Sequence, residues 1–70
     1  MYNIYLFSDE KEKLIGSATN GEDAWKYAIR YIKDVIGARP HYYRECTHDN
    51  VTTIDYGSHT NFIHIKEDDI

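Results

Sequence analysis

One cysteine, one proline, one methionine and four glycines are spread over seventy residues. The lone thiol, Cys46, excludes an internal disulfide and points to a reducing, cytoplasmic setting. No linker, repeat or shift of composition divides the chain, so one domain is expected over residues 1–66, followed by an acidic end at 67–70. No apolar run approaches the roughly 18 residues that cross a bilayer, and no signal peptide opens the sequence. No membrane partner is expected. A basic surplus is also missing: eight Lys and Arg stand against twelve Asp and Glu, a net charge of −4. That balance argues against a general binder of phosphate backbones.

Motifs that carry chemistry are equally scarce. There is no C-x-x-C, no H-E-x-x-H, no G-x-S-x-G and no phosphate-cradling glycine loop. His41, His48, His59, His64 and Cys46 are the residue types of a metal site. Cys46 and His48 share a face of an extended strand, whereas His59 and His64, five apart, fall on opposite faces. Histidines on a sheet rim are the plainer reading. Cys46, His48 and Asp49 have the residue types of a thiol triad, but such close neighbours in sequence are rarely oriented as nucleophile, base and orienter. No catalytic residue, cofactor or metal is expected, and the chain reads as a non-enzyme.

Aromatic residues are plentiful: seven Tyr, two Phe and one Trp. The opening Tyr2-Asn3-Ile4-Tyr5-Leu6-Phe7 reads as a strand, and residues 8–13 as a polar loop. Residues 14–18 return as a short strand weakened by Gly16. A helix over residues 21–36 is the firmest element. Thr19 with Glu22, or Asn20 with Asp23, caps its start, and Gly37 followed by Pro40 ends it. On a helical wheel its apolar arc is about 200° wide, more than the 100° or so that one sheet needs. Extended segments follow at 41–46, 51–56 and 62–65, joined by turns at 47–50 and 57–58. The expected fold is α+β, one helix on a largely antiparallel sheet of three to five strands.

The opening YNIYLF, the helix GEDAWKYAIRYIKDVIG and the strand HYYREC together resemble the YopT-like small proteins of Bacillus SPβ-type prophages, which are unrelated to the Yersinia protease of similar name. The likeness runs along essentially the whole chain. It implies a phage-derived intracellular homodimer of one-helix, few-stranded subunits, and it brings no functional residue with it.

Two uses of the surplus aromatics follow. A domain this small, without disulfide or metal, gains stability by association, so a homodimer is expected. With Ala24, Ala28 and Val35 on the sheet, the helix flanks Tyr27-Tyr31 and Trp25-Ile29-Ile36 are the candidate interface. The competing arrangement is a twisted sheet that hides both flanks in a monomer. An interaction role toward a host or phage protein accompanies the dimer. The alternative is a single-stranded nucleic-acid platform of Tyr42, Tyr43 and Tyr56 with Arg39 and Arg44, rings stacking on bases and guanidiniums meeting phosphates.

Overall fold

The computed structural model describes residues 1–38, 43–57 and 61–67. Strand β1, Tyr2–Ser8, turns at Asp9-Glu10 into β2, Lys11–Ala18. Helix α1, Gly21–Tyr31, continues as a π-helical turn over Ile32–Ile36. Strands β3, Arg44–His48, β4, Val51–Asp55, and β5, Phe62–Glu67, complete one sheet of order β2-β1-β5-β4-β3. Every neighbouring pair is antiparallel. One helix on a five-stranded antiparallel sheet is an α+β fold.

Two of the turns are tighter than the sequence implies. Asp9 and Glu10 have φ of 54° and 63°, and Asp49 and Asn50 have 51° and 63°. Positive φ at both central residues marks the type I′ turn, whose twist matches that of a hairpin. The six-residue loop expected at 8–13 therefore shrinks to two residues, and β2 begins at Lys11. Likewise the turn expected at 47–50 is confined to Asp49-Asn50, and β3 extends to His48. Within β2, Gly16 pairs with Ile4 and Leu14 with Tyr5, which leaves Ile15 as a bulge.

The helix start settles on Asn20. Its Oδ1 accepts from the Asp23 N–H at 2.8 Å, and its Nδ2 donates to Asp23 Oδ2 at 3.2 Å. At the other end Gly37, at φ 79°, closes the last turn, and the N–H groups of Gly37 and Ala38 both donate to the Ile32 carbonyl. The π-helical turn changes the expected buried face. Its wider i→i+5 winding advances each residue by a smaller angle. Ile36 therefore comes above Ile32, and Val35, expected against the sheet, is turned outward at 65% exposure.

The core lies between the helix and one face of the sheet. Ala24, Ala28 and Ile32, four apart, meet Ile4, Ile63, Ile65 and Ile54, with Tyr56 closing one end. Fully burying each isoleucine contributes about 1.5–3 kcal/mol. The helix backbone approaches β2, β1 and β5 but not β3 or β4. The β3–β4 hairpin thus stands beyond the helix, and all five residues of β3 are exposed. Of the acidic end expected at 67–70, Glu67 is the last residue of β5 and its N–H donates to the Asn50 carbonyl; the other three lie outside the described residues.

Candidate functional site

Side chains alternate across a strand, so the face turned away from the helix follows from the register. Ile4 and Leu6 point to the helix, hence Tyr5 and Phe7 point away. Phe7 pairs with Phe62, and one row crosses the sheet as Leu14, Tyr5, His64, Thr53 and Cys46. No described element covers this face. At its centre the rings of Phe7 and His64 stack with centroids 5.2 Å apart, and Phe62 lies 6.3 Å from Phe7. Leu14 is 58% exposed at the margin.

Near the centre of this face charge is held in a pair, while Arg44 is exposed at its margin. Lys66 Nζ lies 2.9 Å from Glu12 Oε2 and 3.1 Å from Oε1, and 4.9 Å above the Tyr5 ring. The hydrogen bond from Lys66 holds the Glu12 carboxyl below its usual range, against the opposing effect of partial burial. The buried Nδ1 of His64 stands 3.7 Å from the same carboxylate, too far for a hydrogen bond. With its charge taken up by Glu12 and Tyr5, Lys66 is poorly placed to receive a phosphate. The surface suits a contact of rings and aliphatic groups.

The residues singled out from sequence fall elsewhere. Trp25, Ile29, Tyr31 and Ile36 are half-buried against the core, and the Trp25 ring meets Tyr43 edge-on at 6.2 Å and 74°. Tyr27 lies over Gly16 and its hydroxyl donates to the Ile15 carbonyl. The Trp25-Ile29-Ile36 flank is thus largely occupied within the subunit, whereas on the other flank Tyr27 is 39% exposed. Of the nucleic-acid platform, the described members Tyr43, Arg44 and Tyr56 do not share one face. Tyr56 is buried on the helix side, where alternation from Ile54 puts it, and its hydroxyl pKa is raised by that burial. Tyr43 is on the same side, while Arg44, one residue on, is exposed on the other. Arg39 and Tyr42 lie outside the described residues.

Among the described residues no group of three or more His, Cys, Asp or Glu is placed to hold a metal. No described helix is long and apolar enough to cross a membrane. Tyr5, Phe7 and Phe62 escaped sequence reasoning, although a signal was there: β1 and β5 are apolar or aromatic at consecutive positions, where a strand with one wet face alternates with polar residues. Compared with protein-family models, curated proteins and solved structures, the chain matches none.

Proposed function

We propose that this chain is a non-catalytic, self-associating binding module whose dimer closes over the open face of the sheet. The observation that carries the reading is the cluster of Tyr5, Phe7 and Phe62, half-buried against one another but covered by no described element, with Leu14 exposed at its edge. Contiguous apolar surface on a small domain marks a place of contact. Size agrees. The molecule measures 33 × 23 × 19 Å, so its broadest aspect is 33 × 23 ≈ 760 Å². A standard interface takes about 800 Å² per partner, which requires one whole face. The helix also exposes Val35 and part of Tyr27, but the ion pairs Lys26–Glu22 and Arg30–Asp34 interrupt its outer face with charge, which interface cores are depleted in.

The resemblance to the YopT-like prophage proteins implies a homodimer without indicating the face it uses, and an exposed free thiol at Cys46 suits a reducing cytoplasm. A second reading places single-stranded nucleic acid on the same face, since aromatic rings on two central strands can stack bases. The net charge of −4 and the pairing of Lys66 weigh against it.

Amide and aromatic NMR spectra recorded on dilution from about 1 mM to 10 μM test both readings. Concentration-dependent shifts centred on Tyr5, Phe7, Leu14 and Phe62 are expected, with the outer helix face silent. A twelve-nucleotide oligo(dT) at low salt should leave those resonances unmoved. Shifts driven by the oligonucleotide and not by protein concentration would overturn the dimer in favour of nucleic acid.

A further inference from the structure

A different surface, the outer edge of β3, carries a second inference. The two edges of the sheet are not equivalent. β2 carries the Ile15 bulge and the charged run Lys11-Glu12-Lys13, both devices that discourage strand addition. β3 has neither a bulge nor a lysine nor a proline, and among the described elements only β4 lies against it.

The hairpin fixes which groups face outward. In a two-residue type I′ hairpin the residues flanking the turn, here His48 and Val51, exchange both backbone hydrogen bonds. Alternation then turns the N–H and C=O of His48, Cys46 and Arg44 toward β4. Those of Thr47 and Glu45 point away from the sheet and are open to a sixth strand.

The same two residues send their side chains to the helix side, because Glu45 pairs with Ile54 and Thr47 with Thr52. There they line a groove of about 310 Å³ between the β3–β4 hairpin and the start of the helix, walled by Tyr2 and Trp25 and holding a second carboxylate, Glu67. Among the described residues no basic one lines it. The Thr47 and Thr52 hydroxyls are bonded to each other at 2.9 Å, which leaves Glu45 as the polar group nearest the edge.

From these features we infer that β3 accepts an extended peptide segment by antiparallel strand addition, and that the segment carries Lys or Arg at every second position. Backbone bonds to Glu45 and Thr47 hold the strand. The alternate side chains directly opposite them stand at cross-strand distance from Glu45 and lean over the acidic, aromatic-walled groove. The other alternate side chains fall beside Arg44, Cys46 and His48, where uncharged β-branched residues fit and further lysines do not.

The probe is a fluorescein-labelled peptide, Thr-Lys-Val-Lys-Thr-Lys-Val, titrated with the full chain and followed by anisotropy. Saturable binding is expected, weakened at least tenfold when the lysines are replaced by glutamates. N-methylation of the lysines, whose N–H groups face β3, should abolish binding. N-methylation of Thr and Val, whose N–H groups face outward, should change it less than threefold. Glu45→Gln should weaken binding about fivefold and reduce its salt dependence. Thr47→Pro removes an outward N–H without touching the β3–β4 ladder and should abolish it. The N-methylated pair keeps the test decisive even if that variant folds poorly. No saturation by 1 mM, equal effects of the two N-methylation patterns, or equal binding of the glutamate peptide would overturn the inference. So would dissociation of a dimer by Thr47→Pro, since a second copy would then occupy the edge.

Discussion

At the scale of single residues, Glu12 shows how a small sheet face orders charge. It lies on an edge strand, yet its carboxylate reaches across β1 to Lys66 on β5 and fixes an ammonium over the Tyr5 ring. Its spacing in sequence gives no hint of this, because the partner is 54 residues away. The consequence for stability has a definite sign. A carboxyl whose folded-state pKa is lowered contributes stability that is present above its unfolded value and lost as pH falls through the folded one. With both side chains part-exposed, the pair is worth no more than about 1 kcal/mol. Urea unfolding at pH 7 should therefore find Glu12→Gln less stable than the native chain by up to that amount. The difference should close as pH is lowered through 4.5, the ordinary value for this group, and below. A gap that persists unchanged at low pH would show that the carboxylate is not the cause.

At the scale of elements, the helix was the most legible part of the chain because its signals are local. Capping residues, a 3.6-residue apolar period and Gly37 all lie within it, and their physics needs no partner. Even so, Val35 went astray, since a π-helical turn has no sequence period distinct from the helix it extends. The start of β2 was hidden for a related reason. Glu10 is an unusual occupant of a left-handed turn position, so the polar run at 8–13 reads as an open loop. Gly16, by contrast, weakens β2 on sequence grounds alone, and the docking of α1 gives it another meaning. A Cβ placed there would come 2.5 Å from Cζ of Tyr27. The glycine makes room for the ring that ties the helix to the bulge through its bond to the Ile15 carbonyl. Gly16→Ala should cost about 1–3 kcal/mol of unfolding free energy by forcing the ring aside. In a Tyr27→Ala background, which removes the three atoms nearest the added methyl, most of that cost should vanish. A coupling energy below about 0.5 kcal/mol in this double-mutant cycle would mean the two residues act independently.

At the scale of the whole molecule, the candidate surface was the least legible feature. The number of aromatics showed that one helix on one sheet leaves some uncovered, but which ones depends on strand order and register, and both arise from pairings far apart in sequence. β1 and β5 are neighbours across some sixty residues, and only that pairing sets Phe7 beside Phe62 on the face without a helix. The tyrosines that stood out, Tyr43 and Tyr56, are spent inside the subunit instead. The two candidate dimer surfaces can therefore be set against each other. Sedimentation equilibrium over the same range, about 10 μM to 1 mM, should return a mass that rises toward 2 × 8.3 = 16.6 kDa. Leu14→Lys puts a charge at an exposed site of the open face with little effect on the fold, and in an interface of two such faces it meets apolar groups and its own copy. That variant should sediment near 8.3 kDa. Trp25→Ala with Ile29→Ala, on the helix flank, should lower stability by removing half-buried contacts yet keep the dimer mass. A native chain of 8.3 kDa at every concentration would end the proposal, and a dimer lost only in the Trp25 and Ile29 variant would move the interface to the helix.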